Sequence, residues 1–313
     1  MKKITSLIII VSASLLVGEA LAKRSSEIVM GFQDSKIKKV LKKWGALQKE
    51  IKTTTGVRPH IVAKKDPTKI GKMVSEGDVD ILIDSLYQIV ILDPDKKLDS
   101  KLNLWKKGVR EYAGCIVTTP DSGINSLADL KGKVVGFEDP YSTSSYALPM
   151  TLIKPLGIKN YYLDAKKAKK ANKAKSVKDL IATYSGKPDG ITKVFTNEDD
   201  TTLTWLKNGT LKAAGIACPK VQGNKEFKIL GESSTVPRVV FAIKKDFNPK
   251  WSKGITDMIL NLDPGSKALI NPGKMKKVEA LDNQQLTTIE KLRPMLLEIF
   301  NETEKEIASK LTH

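Results

Sequence analysis

The residues most suited to chemistry follow a short apolar run near the middle of the chain. That run, Val-Val-Gly-Phe at 134–137, is followed by an Asp-Pro pair at 139–140 and then by the consecutive hydroxyl residues Ser142, Thr143, Ser144 and Ser145. The run predicts a buried strand, the Asp-Pro pair a turn, and Ser142 the start of a helix. A helix start offers free backbone N–H groups and the positive end of the helix dipole, so hydroxyls there can hold an oxyanion without a metal. The alternative is a helix cap whose additional serines bind nothing.

The surrounding segment, 121–149, carries a family pattern that ends in Gly-Phe-Glu-Asp-Pro-Tyr-Ser-Thr-Ser-Ser-Tyr-Ala-Leu-Pro. It resembles the periplasmic binding proteins of phosphate, phosphite and phosphonate ABC transporters. Blocks at 78–87, 105–112, 195–214 and 227–246 also look like family blocks in family order, so the resemblance covers nearly the whole mature chain. It implies that Ser142, Thr143 and Ser144 grip the phosphonate oxygens.

A second candidate group lies at Asp84, Ser85 and Tyr87, which resemble the family loop that faces the ligand from the first lobe. Tyr87 either hydrogen-bonds an oxyanion, walls the pocket, or is a core tyrosine. An ionised Asp84 repels an anionic group, but it can accept hydrogen bonds from a protonated oxygen, a hydroxyl or an ammonium group.

The block 195–202 precedes a predicted helix, at a place where part of the family has a histidine that contacts the ligand. This chain has acids instead, and Asp199 and Asp200 either cap the helix or bind a cationic or hydroxylated part of the ligand. Further on, Lys212 replaces an acid of the family pattern. An aminoalkylphosphonate site built on acids at those later positions is therefore not supported.

Enzyme chemistry finds no support in the sequence. His60 and His313 are the only histidines, which argues against a zinc site or a histidine-based triad. The hydroxyls at 142–145 have no histidine base, and no carboxylate pair has a supporting motif. We therefore expect a binding protein without a cofactor or a metal.

The first residues predict a secretory signal. Lys2 and Lys3 precede an apolar core at 4–17, and Ala-Leu-Ala at 20–22 forms a small-x-small cleavage site. We expect a signal peptide at 1–22, a mature chain that starts near Lys23, and a periplasmic location. The cleavage point has no cysteine that could carry a lipid anchor.

The charge of the whole chain is +18. Removal of 1–22 takes away two lysines and one glutamate and leaves +17. Such an excess suggests nucleic acid or a membrane surface, but the lysines are interleaved with acids, which favours a solvated face that also attracts small anions. The lysine-rich run at 164–178 has no aromatic residues that stack bases, so we expect a solvated helix or mobile insertion and no nucleic-acid partner.

Strand and helix patterns alternate along the chain and predict an α/β fold. The expected architecture is the two-lobed, type II periplasmic-binding-protein fold, in which each lobe is a mostly parallel sheet flanked by helices and a two-strand hinge joins the lobes. The expected ranges are 23–112 for lobe 1, 113–225 for lobe 2, and 226–313 for the return to lobe 1. The return uses strands at 227–232 and 238–244, and the C-terminal helices pack on lobe 1.

Cys115 and Cys218 are the only cysteines, and the sequence leaves a disulfide and two buried free thiols equally open.

The sequence thus predicts a monomeric periplasmic protein that closes its lobes on a small anionic ligand and delivers it to an ABC permease. Two alternatives stay open: a sensory protein that presents its closed form to a membrane receptor or histidine kinase, and a binder of a cofactor precursor.

Overall fold

The computed structural model describes residues 27–164, 176–184 and 186–309. The predicted signal peptide and most of the lysine-rich run lie outside these residues. The described chain forms two compact units, of which unit 1 comprises 27–83, 95–108 and 241–280 and unit 2 comprises 84–94, 109–240 and 281–309. Within these ranges, no helix has both the length and the apolarity needed to cross a membrane.

Unit 1 is a six-stranded sheet with helices. Its strands are β1 (Val29–Gln33), β2 (His60–Lys64), β3 (Ile81–Asp84), β4 (Leu98–Lys106), β13 (Val240–Lys244) and β14 (Met275–Ala280). Its helices are α1 (Ile37–Thr55), α2 (Pro67–Ser75), α7 (Pro249–Leu260) and α8 (Lys267–Ile270). The strand order is β14-β4-β13-β3-β1-β2, with β1 parallel to both β2 and β3 and β14 antiparallel to β4. The strand-helix alternation predicted from the sequence for this part of the chain is confirmed.

The helix α1 shows how the apolar pattern becomes packing. Val40, Trp44, Leu47 and Ile51 recur at helical spacing and are buried. The helix ends at Gly56, whose φ of 80° lies in the left-handed region that closes helices and suits glycine. Its apolar stripe therefore fixes which side of the helix faces solvent.

Unit 2 contains a second six-stranded sheet. Its strands are β6 (Gly114–Thr118), β7 (Val134–Phe137), β8 (Lys159–Tyr162), β9 (Gly190–Phe195), β10 (Ala213–Ala217) and β11 (Lys228–Glu232); the short strands β5 (Glu111–Tyr112) and β12 (Val236–Pro237) form a separate pair. Its helices are α3 (Leu86–Leu92), α4 (Leu148–Ile153), α5 (Val177–Thr183), α6 (Asp199–Lys207) and α9 (Asn283–Ser309), and a π-helical turn (Thr143–Ala147) leads directly into α4. The sheet order is β11-β6-β10-β7-β9-β8, in which β7, β8, β9 and β10 run parallel to their neighbours within that group and β6 is antiparallel to β10 and β11.

The bounds of the two units differ from the expected lobe ranges. β11, expected in the return to lobe 1, instead pairs with β6 in the unit 2 sheet, and the chain passes back to unit 1 only after Val240. Residues 84–94, which include α3, also group with unit 2.

The C-terminal helix α9 belongs to unit 2, where it contacts α3, a helix that lies within the range expected for lobe 1. Its polar side chains also contact residues of unit 2. Glu304 accepts a hydrogen bond from the Tyr141 hydroxyl at 3.0 Å, and Glu302 lies 2.7 Å from the Lys154 ammonium. The apolar spacing predicted the helix correctly, and these polar contacts add to the burial of its apolar side chains Ile289, Leu296 and Ile299.

The two cysteines form a disulfide in unit 2. Cys115 lies on β6, and Cys218 directly follows β10. Because β6 and β10 are antiparallel neighbours, the Cα atoms of the two cysteines lie 5.0 Å apart. Glu232 is close to both sulfur atoms, but sulfurs bonded to each other are not available as metal ligands. The structure thus decides between the bridge and the free thiols that the sequence left open.

Candidate functional site

The helix start at 142–147 is built by the turn that precedes it. The Asp139 carboxylate accepts a hydrogen bond from the Tyr141 N–H at 2.7 Å, and Ser142 then takes the N-cap position with its hydroxyl accepting the Ser145 N–H at 3.2 Å. The Ala147 N–H reaches back to the Ser142 carbonyl at 2.9 Å, which is the wide spacing of a π-turn. The predicted cap at Ser142 is therefore confirmed, and it opens a helical segment that continues through α4.

Thr143 joins the hydroxyl cluster at 142–145 to the second candidate group, at 84–87, within unit 2. Its hydroxyl donates to the Ser85 hydroxyl at 2.8 Å and accepts the Tyr87 N–H at 3.1 Å. Ser85 in turn donates to the Asp84 carboxylate at 3.3 Å. A chain of hydrogen bonds therefore runs from Thr143 through Ser85 to Asp84. The Thr143 side chain is buried within this arrangement.

Tyr87 is fully buried at the start of α3. Its hydroxyl has no hydrogen-bond partner in the part of the chain that the structure describes. Burial raises the pKa of Tyr87 well above its ordinary value of 10.0, and the nearby Tyr146, Glu304 and Tyr141 add to that shift. The hydroxyl therefore stays protonated and is a potential donor.

Ser142 is committed to two structural contacts. Besides accepting the Ser145 N–H, its hydroxyl donates to the Glu138 carboxylate at 2.7 Å. Burial raises the pKa of Glu138, and the charges of Asp199 and Asp139 raise it further. Burial also raises the pKa of Asp139. Two acids whose pKa values are raised by burial, Glu138 and Asp139, thus precede the helix start.

The remaining hydroxyls differ in their surroundings. Ser145 is fully buried, and its hydroxyl oxygen has no hydrogen-bond partner among the described residues. Ser144 is partly exposed. Of the four hydroxyls in the cluster, Ser144 is therefore the one that combines access to solvent with a place in the first helical turn.

The acids at the start of α6 do not cap that helix, because Glu198 occupies the N-cap position. Asp199 and Asp200 lie in the first turn, where the helix dipole favours negative charge. Both contact the Lys220 ammonium, each at 3.1 Å. Asp200 is mostly exposed, whereas Asp199 is largely buried and close enough to Glu138 to raise its pKa.

Sequence reasoning missed Tyr112, which hydrogen-bonds Thr143, and Arg238, which lies beside Tyr112. The Arg238 guanidinium lies 4.4 Å from the centre of the Tyr112 ring, and Tyr112 is buried. Burial raises the pKa of Tyr112, while Arg238 and a hydrogen bond with Thr143 lower it. The two residues meet because β5 and β12 pair, with Val236 opposite Tyr112. A pairing of such short strands leaves no pattern that a sequence would show.

Comparisons with known proteins point to one family and one fold. A family model described as "ABC transporter, phosphonate, periplasmic substrate-binding protein" matches residues 34–286. A Xanthomonas citri protein solved with ATP is 17% identical, with a TM-score of 0.71 over 88% of this chain and 98% of that chain. The PhnD1 protein of Prochlorococcus marinus in complex with methylphosphonate is 16% identical, with a TM-score of 0.55 over 90% of this chain and 99% of that chain. A binding protein component of an ABC phosphonate transporter from Pseudomonas aeruginosa is also 16% identical, with a TM-score of 0.51 over 90% of this chain and 98% of that chain. At these identities the structural likeness shows the fold.

Proposed function

The chain belongs to the periplasmic substrate-binding proteins of phosphonate ABC transporters, and on that premise we propose that it captures a small oxyanion at the helix start 142–145. Phosphonate, phosphite and phosphate-ester ligands are the leading classes. The type II periplasmic-binding-protein fold expected from the sequence is confirmed, with two mostly parallel sheets flanked by helices. The family is one of transport components and not of enzymes.

The observation that carries this proposal is the position of the Thr143 hydroxyl. It is buried at the first turn of a helical segment, where it donates to Ser85 and accepts from the Tyr87 N–H. An oxyanion that takes the place of the Ser85 oxygen would accept the same Thr143 proton, together with N–H groups of the first turn. Because the helix dipole already favours negative charge there, neutral donors suffice.

The other residues near Thr143 take distinct roles in the proposal. Ser144 supplies a second hydroxyl donor, and Arg238 supplies positive charge beside Tyr112. Ser142 fixes the helix start, since its hydroxyl is held by the Ser145 N–H and by Glu138. Asp84 accepts a hydrogen bond from a protonated ligand oxygen, which favours a singly charged form of the ligand.

The first test is calorimetry with a ligand panel on the purified mature protein. The panel contains methylphosphonate, phosphite and phosphate, and it includes ATP because a structural relative was solved with that ligand. Thr143→Ala and Ser144→Ala should each lower affinity roughly ten- to a hundredfold, since each removes a neutral donor from a buried charged group. Thr143→Ser keeps the hydroxyl and should bind within a few fold of wild type.

Two control variants separate binding from folding. Ser142→Ala removes the cap and should cost about 1 kcal/mol of stability, with a smaller loss of affinity than Thr143→Ala. Thr204→Ala removes an exposed hydroxyl that bonds only within α6 and should change neither quantity. If Thr143→Ala and Ser144→Ala bind every ligand of the panel as tightly as wild type while their melting temperatures fall, the cluster is a structural cap and the proposal is wrong.

The remaining steps of transport are part of the same proposal. The protein is secreted by cleavage after 22, carries no lipid anchor, acts as a monomer and delivers its ligand to an ABC permease. Intact-mass measurement of the periplasmic protein should show a chain that starts near Lys23. Retention of Met1 or an acylated N-terminus would contradict this step.

A further inference from the structure

The helix α1 exposes two aliphatic side chains near its N-terminus. Ile37 and Leu41 lie one turn apart and are 42% and 41% exposed, although the neighbouring Val40 and Trp44 are buried. The other large aliphatic side chains of unit 1 with comparable exposure are Leu260 on α7 and Ile270 on α8. Both of those helices pack against α1. Exposed aliphatic groups in unit 1 are thus concentrated on three helices that contact one another.

A row of lysines runs beside Ile37 and Leu41. Lys38, Lys42, Lys49 and Lys52 are exposed, and their spacing of four, seven and three residues places them on one face of the helix. Among the residues that the structure describes, none of these four ammonium groups lies within ion-pairing distance of a carboxylate. Gly45 falls within the row, and a Cβ added there would meet no atom within 4 Å. The row is therefore an open surface about 21 Å long.

Helix stability favours Lys52 in the last turn of α1 but does not explain the lysines at its N-terminal end. The first turn of α1 contains no acid, and the N-cap residue Lys36 makes no side-chain cap. Lysines at 36, 38 and 39 instead place positive charge at the positive end of the helix dipole, which is unfavourable. Asp34 offsets only part of this charge, through contacts with the Lys36 N–H at 2.9 Å and the Lys39 ammonium at 3.8 Å. Exposing Ile37 and Leu41 to water adds a further cost. Both costs disappear when the helix meets a surface that is negatively charged and has an apolar interior.

We propose that the α1 face, formed by Ile37, Lys38, Leu41, Lys42, Lys49 and Lys52, rests on an anionic phospholipid bilayer. Lysines beside exposed aliphatic groups are the pattern of interfacial helices, in which the ammonium groups meet the headgroups and the aliphatic groups enter the acyl boundary. An acidic protein surface would satisfy the charges but would need a matching apolar recess. The contact is weak and reversible, and it keeps the protein close to the membrane that holds its permease.

The test is co-sedimentation of the mature protein with vesicles. Vesicles of mixed phosphatidylglycerol and phosphatidylcholine should bind it, and vesicles of phosphatidylcholine alone should bind it far less. Each lysine near an anionic surface contributes roughly fivefold to binding, so Lys38→Gln with Lys42→Gln should weaken it about 25-fold. Raising the ionic strength from about 0.1 M to about 1 M shortens the Debye length from about 10 Å to about 3 Å and should release the wild-type protein.

Matched controls distinguish this face from diffuse charge. Lys131→Gln with Lys225→Gln removes the same charge from exposed positions of unit 2 and should weaken binding much less. Leu41→Ser should lower binding several-fold, whereas Leu156→Ser, at a side chain that is 46% exposed in unit 2, should not.

Three results would overturn the proposal. Equal weakening by the two lysine pairs would assign the binding to the overall charge of the protein. Equal effects of Leu41→Ser and Leu156→Ser on binding would show that Leu41 makes no specific contact with the bilayer. Absence of binding to the anionic vesicles above the level of the neutral ones would reject the bilayer as the partner and direct the search to an acidic protein surface. Unchanged melting temperatures would show that every variant is folded.

Discussion

Tyr87 provides the sharpest test of how unit 2 is organised, because its hydroxyl is buried without a hydrogen-bond partner among the described residues. Leaving a buried hydroxyl unsatisfied costs about 1 to 3 kcal/mol. Tyr87→Phe removes that oxygen and keeps the ring. We therefore expect the ligand-free variant to be more stable than wild type by about 1 kcal/mol or more, as measured by urea denaturation.

Tyr146→Phe is the matched control, since the Tyr146 ring is equally buried in the same unit but its hydroxyl is fully engaged. It pairs with the Thr303 hydroxyl and accepts a hydrogen bond from the Lys193 ammonium at 3.0 Å. Removing an acceptor from a buried charge should cost about 1.5 to 3 kcal/mol. The two Tyr→Phe variants should therefore move stability in opposite directions.

The function of the Tyr87 hydroxyl is read from the same variant. If the hydroxyl donates to the ligand, Tyr87→Phe should lower affinity about tenfold or more while stability rises. A rise in stability with unchanged affinity would identify Tyr87 as a core tyrosine. A fall in the stability of the ligand-free variant would mean that the hydroxyl has a partner in solution, and the reasoning would be refuted.

Three further predictions concern stability in unit 2. Replacing Cys115 and Cys218 by serine should cost about 2 to 5 kcal/mol, because the disulfide closes a loop with a sequence separation of 103; urea denaturation with and without reductant checks this, and wild type that is insensitive to reductant would contradict it. Glu306→Gln should cost about 3 to 5 kcal/mol, because it leaves the buried Lys193 ammonium, 2.9 Å from that carboxylate, without its counter-charge; a double variant that also carries Lys193→Met should recover much of the loss. Because the pKa of Glu138 is raised in the folded state, the stability that Glu138 contributes should be lost as pH rises from 4.5 through that folded pKa, and melting experiments should show the stability of wild type relative to Glu138→Gln falling across this range.

The sequence predicted most helices and strands because their apolar spacing is local information. The helix α1 and the strands β7 and β9 follow directly from such patterns. The same patterns do not show which surface α9 contacts, because an apolar stripe shows that a helix packs but not against what. Contacts of this helix, such as Lys154 with Glu298 and Glu302, join residues far apart in the chain.

The candidate site was predictable to the extent that chemistry is concentrated in consecutive residues. Ser142 and Thr143 were identified from the hydroxyl cluster, and family resemblance drew attention to Ser85. Tyr112 and Arg238 were missed, since only the pairing of β5 with β12 brings them together. Isolated residues of ordinary types carry no signal until the fold places them.

Lys193 is a residue whose burial could not be predicted from its type and its neighbours in the sequence. It lies within β9 in the segment Thr-Lys-Val, where a lysine predicts a side chain that faces solvent, yet it is only 1% exposed. The charge of Glu306 and the Tyr146 hydroxyl raise the pKa of Lys193 against the opposing effect of burial. A buried lysine is stable only with such partners, and both are distant in the chain, because Tyr146 lies in the π-helical turn and Glu306 lies in α9.

The hydrogen bonds around Thr143 also bear on how an oxyanion would be selected. Its hydroxyl already has a donor and an acceptor, so a ligand exchanges hydrogen bonds and does not simply add them. Replacing the neutral Ser85 oxygen by a charged one roughly doubles the strength of the bond that Thr143 donates. A neutral ligand gains no such advantage, because it would only reproduce the bond already present. On the proposed function, the protein therefore selects anionic over neutral ligands because the Thr143 hydroxyl donates a stronger bond to a charged acceptor than to the Ser85 oxygen. Asp84, which accepts the hydrogen bond of Ser85, disfavours ligands that carry more negative charge.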